Sequence, residues 1–243
     1  MLTTEPTPVW QQSILASEVL RNVRSVVPLA IEQIEAMLQL IEASHGAGLR
    51  NFLDLGSGDG VLSAAILDEY PGARGILLDH PIEALEGARQ QLQAHDGHVE
   101  FVCADFNAPD WQRHVAPDAP FDSVVSGLAL HQAPDPRKRA LFREIHELLA
   151  PGGVFVAIEV VASTTRWTGS IWDDFMIDAI FGQALREWPG ASRADVARDY
   201  FARAENSIAP LEVQCDWLRE AGFEDVDCYL KVAELAVFGG RRS

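Results

Sequence analysis

Short apolar runs alternate with amphipathic stretches through the middle of the chain. The runs predicted to form strands cover residues 50–55, 75–79, 99–103, 121–126 and 154–161. The helices predicted between them run through about Tyr70, from Pro81 to Gln93, and from Pro136 to Ala150 after an N-cap at Asp135. Strands that alternate with helices are typical of a parallel sheet covered on both faces.

The two flanks of this pattern differ from its centre. Ile31, Ile34, Leu38 and Ile41 recur at steps of three and four, which predicts a helix within residues 28–42. Residues 162–209 show no strand pattern and are rich in aromatic side chains, which indicates two or three inserted helices. A helix from Leu211 to Ala221 follows, with strands near 223–230 and 232–239. Their short connection requires the last two strands to be antiparallel.

Composition and charge narrow the class of partner. The chain has 243 residues, which fits one large domain or a domain with a modest insertion. Its 36 acidic and 19 basic residues give a net charge of −17, which disfavours nucleic acid and an anionic membrane surface as partners. A small neutral or cationic substrate fits this charge better, and a homodimer is compatible with it.

Targeting and redox signals point to the cytoplasm. No stretch reaches the roughly 20 apolar residues that span a bilayer, and residues 1–10 show no export signal. The three cysteines lack CxxC spacing, which fits a reducing compartment. His95 and His98 flank an Asp-Gly turn signal, so we assign them a structural role and predict no metal site.

The strongest chemical signal is the glycine loop after the first predicted strand. A dinucleotide site has the pattern G-x-G-x-x-G, but here Val61 stands where the third glycine would fall after Gly56. Asp54 at the strand end would oppose a pyrophosphate on the loop amides and would favour a ligand with a cationic amine.

Five motifs in order resemble those of the class I S-adenosylmethionine-dependent methyltransferases, in particular the small-molecule, ubiquinone-biosynthesis-like type. The matching segments are 54–60 (Asp-Leu-Gly-Ser-Gly-Asp-Gly), the second strand ending at Asp79, 103–106 (Cys-Ala-Asp-Phe), 121–126 and 148–153. The ending, Trp217 to Phe223 followed by two strands, is similar to the family's reversed last strand.

The resemblance implies a fold and a cofactor. The fold is α/β, a Rossmann-like doubly wound sheet of seven mostly parallel strands with a reversed last strand. Residues 49–161 and 210–243 would form the core, 1–48 helices covering the pocket, and 162–209 a helical lid. The cofactor would be S-adenosyl-L-methionine, with S-adenosyl-L-homocysteine as product. The residues expected to bind it are Asp54, Gly56, Ser57, Gly58, Gly60, Asp79, His80, Asp105, Phe106 and Ser126.

Methyl transfer from a sulfonium is an in-line displacement that needs a base only when the acceptor loses a proton. His131 follows the fourth predicted strand and is the candidate base, although a structural histidine would also fit there. The expected substrate pocket comprises Trp10, His131, Trp167, Trp172, Phe175 and Met176. These aromatic residues could instead pack as a core of the insertion.

Three other functions stay open at this point. An NAD-dependent oxidoreductase is disfavoured by Asp54 and Val61. A non-catalytic binding module, or an enzyme that uses the same cofactor for other chemistry, would preserve the same motifs. The acceptor atom and the substrate are not specified by the sequence.

Overall fold

The computed structural model describes residues 27–80, 82–202 and 207–243. Trp10 therefore lies outside the described residues, as does the rest of the predicted N-terminal cover before Val27. Within the described ranges, no helix is long and apolar enough to cross a membrane.

Seven strands form one sheet in the order β3-β2-β1-β4-β5-β7-β6. The strands are β1 Asn51–Leu55, β2 Arg74–Asp79, β3 Val99–Cys103, β4 Phe121–Gly127, β5 Leu149–Val160, β6 Glu224–Val232 and β7 Leu235–Arg241. The first five pair in parallel, and β7 lies antiparallel between β5 and β6. The predicted mostly parallel sheet with a reversed last strand is thus confirmed. The strand order reverses between β1 and β4, the position at which doubly wound folds bind ligands.

Helices cover both faces of the sheet. They are α1 Ala30–His45, α2 Val61–Glu69, α3 Ile82–Gln91, α4 Asp135–Leu148, α5 Arg166–Glu187, α6 Arg193–Ala202 and α7 Leu211–Ala221. One core cluster joins α1 and α2 to Phe52 and Val125, and the other joins α4 and α7 to Leu53 and Val124. Because side chains alternate across a strand, the position of Asp54 places it on the same face as Phe52, toward α1 and α2.

Helix α4 and strand β5 begin at other residues than the sequence predicts. Helix α4 begins at Asp135 itself after an N-cap at Pro134, so Asp135 is not the N-cap. Its carboxylate accepts instead from Ser207 Oγ at 2.8 Å and Lys138 Nζ at 3.2 Å. Strand β5 begins at Leu149 rather than Val154, and its pairing with β4 has a register irregularity between Phe121 and Ser123.

Candidate active site

The glycine loop joins β1 to α2 in a left-handed conformation. Gly56, Gly58 and Gly60 have φ of 72°, 53° and 80°. A Cβ on Gly56 would lie 2.3 Å from Ala129 Cβ, so a side chain has no room there. The amides of Gly56 and Ser57 donate to Leu78 O at 2.8 and 3.1 Å, which fastens the loop to β2. Glycine is therefore required here both by φ and by close packing.

Asp54 is a buried carboxylate beneath this loop, with 1% of its surface exposed. Ser63 Oγ donates to its Oδ2 at 2.6 Å, while Oδ1 has no hydrogen-bond partner. Burial raises the pKa of Asp54 to about 7, because the charged form is removed from water. Ser57 Oγ is also buried without a partner.

These groups line a cavity of about 170 Å³, which we call the loop cavity. Its walls include Asp54, Gly56, Ser57, Gly58, Asp59, Gly127, Leu128 and, from the N-terminal side, Val27, Ala30, Gln33 and Ile34. Buried polar atoms without partners around a small cavity are unfavourable unless a ligand satisfies them. Together with the glycine cradle, they fit the amino-acid half of S-adenosyl-L-methionine.

Asp79 ends β2 beside the loop. Its Oδ2 accepts from Gly58 N at 2.5 Å and its Oδ1 from His80 N at 2.6 Å, while the carboxylate stays half-buried. Each oxygen keeps a further lone pair, so the carboxylate can still accept from two neighbouring hydroxyls. His80 is exposed beside it. Asp79 therefore lies against the loop, and its contact with a ribose stays a prediction.

Three other predicted residues take different positions. Asp105 is exposed and its Oδ1 accepts from Asn107 N at 2.8 Å, so it closes a turn. Phe106 is 6% exposed and packs in the core beneath Gly56. Ser126 is 1% exposed, and its Oγ donates to Leu55 O at 2.7 Å. Phe106 and Ser126 therefore support the loop from below and are absent from the wall of the loop cavity.

His131 lies just after β4 and is held by a second buried acid. Its Nδ1 is 2.7 Å from Glu159 Oε1, and its backbone N–H donates to Glu159 Oε2 at 3.2 Å. Glu159 is 1% exposed, whereas the His131 side chain keeps 15% of its surface exposed. A carboxylate at Nδ1 fixes the tautomer with hydrogen on Nδ1 and leaves Nε2 free to accept a proton.

Glu159 was missed by the sequence analysis. Its signal was available, because it is the one acid in the apolar run Val154–Val161. A carboxylate in a buried strand needs partners, and Glu159 finds them in His131 and in the backbone N–H of Val160, which donates to Oε1 at 2.6 Å.

A second, larger cavity of about 730 Å³ lies between the insertion and the sheet, and we call it the insertion cavity. Its described lining is Val27, Leu128, Val160, Trp172, Asp173, Met176, Ile180, Gln183, Tyr200, Phe201, Ile208, Glu234 and Leu235. It shares Val27 and Leu128 with the loop cavity, so the two adjoin.

The predicted substrate-pocket residues separate into two groups. Trp172, at 5% exposed, and the half-buried Met176 line the insertion cavity. Phe175 stacks on Trp172 with centroids 5.5 Å apart but is 47% exposed and faces a neighbouring groove. Trp167 is 73% exposed, and neither Trp167 nor His131 belongs to the described lining of either cavity. Helix α5 turns the side chains of Trp167 and Phe175 toward solvent, and their role in the substrate pocket stays a prediction.

No group of three or more histidine, cysteine or acidic side chains within the described ranges could hold a metal ion.

Comparison with known proteins identifies the core. Residues 52–153 match a family described as "Methyltransferase domain". An uncharacterized methyltransferase of Mycobacterium tuberculosis is 30% identical over 136 residues, which cover 55% of this chain and 64% of the relative. A trans-aconitate 2-methyltransferase of Methylobacterium radiotolerans is 28% identical over 190 residues, which cover 70% of this chain and 67% of the relative.

Solved structures share the fold at low sequence identity. An O-methyltransferase family protein from Burkholderia thailandensis has a TM-score of 0.62 at 20% identity, covering 100% of this chain and 66% of that one. Human N-acetylserotonin methyltransferase, solved with S-adenosylmethionine, has a TM-score of 0.58 at 19% identity, covering 96% and 55%. A structure titled "A Pericyclic Reaction enzyme" has a TM-score of 0.54 at 17% identity, covering 84% and 47%.

The matches cover less than two thirds of the Mycobacterium relative and of these three structures. The family match at residues 52–153 includes the glycine loop and strands β2 to β4. The chain thus contains a region that matches a methyltransferase domain, in the fold that solved S-adenosylmethionine-dependent methyltransferases share.

Proposed function

We propose that the protein transfers a methyl group from S-adenosyl-L-methionine to a small-molecule acceptor that loses a proton in the reaction. The observation that carries the proposal is the pair of adjoining cavities, which share Val27 and Leu128. A cofactor seated in the loop cavity and an acceptor in the insertion cavity would meet at this shared wall.

The cofactor, when bound, supplies a methyl group on a sulfonium leaving group. Asp54 and the loop amides would hold its amino-acid end, and Asp79 would accept from the ribose hydroxyls. Alignment of two bound reactants is the main contribution that a protein makes to such a displacement.

His131 would act on the acceptor. Its Nε2 takes the proton from an acceptor hydroxyl or protonated amine, and Glu159 orients the ring and stabilises the imidazolium that forms. Support comes from the 2.7 Å contact between His131 Nδ1 and Glu159 Oε1 and from the partial exposure of the histidine. Helices α5 and α6 would exclude water as a lid over the acceptor, and α1 would cover the cofactor.

The test begins with binding. Calorimetry is expected to show binding of S-adenosyl-L-homocysteine and none of NAD, and the reverse result would sink the assignment. Methyl transfer from labelled S-adenosyl-L-methionine is then measured on a panel of small phenols, carboxylic acids and amines. His131→Ala is expected to lower kcat by roughly 10²–10⁴-fold, which is the usual contribution of a general base.

Glu159→Gln should lower kcat by a smaller factor, because the amide oxygen can still accept from Nδ1 but carries no charge. S-adenosyl-L-homocysteine affinity should be unchanged in both variants. Full activity after His131→Ala would reject His131 as the base.

A second candidate is another reaction on the same fold, which the resemblance to the pericyclic-reaction structure keeps open. It predicts binding of S-adenosyl-L-homocysteine without label transfer to any acceptor in the panel.

A further inference from the structure

Helix α1 buries one polar side chain among its apolar ones. Gln33 is 3% exposed and lies on the same helix face as Ile34 and Met37. Its Nε2 donates to Pro28 O at 2.7 Å, while its Oε1 has no partner. Only the amide nitrogen can donate to a carbonyl, so this bond fixes the orientation of the amide and identifies the oxygen as the unsatisfied atom.

That oxygen belongs to a group of three. Within the described ranges, seven buried side-chain oxygens lack a hydrogen-bond partner. Three of them, Gln33 Oε1, Asp54 Oδ1 and Ser57 Oγ, belong to residues that line the loop cavity. A buried acceptor without a partner is unfavourable, so three at one small cavity indicate a ligand that donates hydrogen bonds to them.

The charge of the loop cavity limits which chemical group of a ligand can donate these hydrogen bonds. The described lining contains the acids Asp54 and Asp59 and no lysine, arginine or histidine. A primary ammonium is compact, carries three donors and has no acceptor, which complements a carboxylate oxygen, an amide oxygen and a hydroxyl.

We propose that Gln33 is a cofactor ligand: its Oε1 accepts a hydrogen bond from the ammonium group at the amino-acid end of the bound nucleoside, alongside Asp54 Oδ1. This inference rests on the proposed function, because it assumes S-adenosyl-L-methionine as the ligand. It adds helix α1, which lies outside every recognised motif, to the cofactor site.

Gln33 also connects the ligand to the start of α1. The same amide that would bind the ammonium holds Pro28 O, in the turn that precedes the helix. Occupancy of the loop cavity would therefore stabilise this turn, next to Val27, which both cavities share.

The test compares ligands that differ at the ammonium. Gln33→Met keeps the side-chain length and removes the acceptor. Calorimetry is expected to show affinity for S-adenosyl-L-homocysteine reduced by roughly 10–100-fold, since hydrogen bonds to charged groups are the stronger ones. Affinity for 5′-methylthioadenosine, which lacks the amino-acid end, should be unchanged. Decarboxylated S-adenosylhomocysteine keeps the ammonium, so its affinity should fall by the same factor as that of S-adenosyl-L-homocysteine.

Gln214 provides a matched control. It is 1% exposed, its Nε2 donates to Ala209 O at 3.0 Å five residues earlier, and its Oε1 is likewise unpaired, but it does not line the loop cavity. Gln214→Met should leave all three affinities unchanged. Gln33→Glu, which restores an acceptor oxygen, should recover part of the affinity lost in Gln33→Met and provides a second variant if the methionine change prevents folding.

Three outcomes would overturn the inference. Equal losses for S-adenosyl-L-homocysteine and 5′-methylthioadenosine would show a structural role. Unchanged affinity of Gln33→Met and Gln33→Glu for S-adenosyl-L-homocysteine would exclude Gln33 as a ligand. Failure of the wild-type protein to bind either nucleoside would remove the proposed function and the inference with it.

Discussion

Asp54 and Trp167 each occupy the environment that their side chains ordinarily avoid. The carboxylate is 1% exposed beneath the glycine loop, and the indole is 73% exposed on α5. The two belong to regions built in different ways. In the loop region, residues 51–60, polar atoms are enclosed; in the insertion, residues 162–209, large apolar side chains face water.

The loop region is held by backbone pairing on both sides. Strand β1 pairs with β2 and β4, and the loop amides donate to Leu78 O. This backbone frame can keep a carboxylate buried without a neighbouring cation, because the geometry of the frame does not depend on the side chains in the loop cavity. A buried acceptor without a partner, held in such a rigid frame, therefore indicates a bound ligand that donates to it.

The insertion has little apolar packing of its own. Among its helices, α5 buries Trp172 and Ile177, and the described side chains of α6 include none that is buried. Arg193 links the helices through Asp174 and Asp178, but all three side chains are largely exposed, and such ion pairs contribute little to stability. We therefore expect the insertion to open more readily than the loop region, as a region that admits an acceptor would need to do.

We expect the greatest loss of stability from a substitution in the loop. Gly56→Ala places a methyl group where Ala129 Cβ is 2.3 Å away, at a φ of +72°. Left-handed strain and overpacking together should lower the free energy of unfolding by about 2–5 kcal/mol. Urea denaturation measures this change.

Gly182→Ala is the matched change in the insertion, since the new Cβ has no atom within 4 Å and the residue lies inside α5. It should raise the free energy of unfolding by up to about 1 kcal/mol, through helix propensity alone. Similar effects of the two substitutions would contradict the contrast between a tight loop and a loose insertion.

The next effect concerns the buried acid. The folded-state pKa of Asp54 is raised to about 7 from the model-compound value of 3.8, so the folded protein holds a proton that the unfolded chain releases between these values. Stability of the ligand-free protein should therefore fall as pH rises from about 4 to about 7. Asp54→Asn removes this loss and should raise the free energy of unfolding at pH 8 by roughly 2–4 kcal/mol.

The same substitution should weaken S-adenosyl-L-homocysteine binding by at least about tenfold, because the charged partner of the ammonium is lost. Urea denaturation at pH 5 and pH 8, together with calorimetry, checks both results. Suppose that Asp54→Asn is no more stable than the wild type at pH 8 and binds S-adenosyl-L-homocysteine equally well. The charged form of Asp54 would then not destabilise the folded protein, and Asp54 would not belong to the cofactor site.

The fold and the loop could be predicted from the sequence because their signals are local. The alternation of apolar runs predicts the sheet. Gly56, Gly58 and Gly60 predict the tight loop, because only glycine adopts left-handed backbone angles easily. Asp79 could be placed because parallel strands end at one edge of the sheet. These inferences need only neighbouring residues and the direction of the chain.

The remaining site residues depend on contacts between distant segments. Glu159 meets His131 across 28 positions, and Gln33 reaches the loop cavity from a helix whose pattern reads as purely apolar packing. Trp167 and Phe175 could not be placed from the sequence for the related reason that the composition of a helix does not reveal which face of it is buried. In each case the contact depends on tertiary packing, which the local sequence does not specify. A single polar residue within an apolar pattern is the best local sign of such a contact.

The smallest expected effect tests whether the insertion opens by itself. Tyr200 OH donates to Asp173 Oδ1 at 3.0 Å and joins α6 to α5 beside the insertion cavity. Tyr200→Phe removes one hydrogen bond, worth about 0.5–1.5 kcal/mol. Few buried contacts hold α6 in place, so loss of this hydrogen bond should accelerate amide hydrogen exchange within Arg193–Ala202. Exchange in β1 and β4 should stay unchanged.

Tyr229→Phe makes the matched change outside the insertion, since Tyr229 OH donates to Asp225 O, also at 3.0 Å, on strand β6. It should leave exchange in α6 unaltered. If Tyr200→Phe accelerated exchange in β1 as much as in α6, the insertion and the loop region would open as one cooperative unit. The exposed aromatic side chains of α5 would then belong to the same folding unit as Asp54. The helices around the insertion cavity would be as rigid as the loop region.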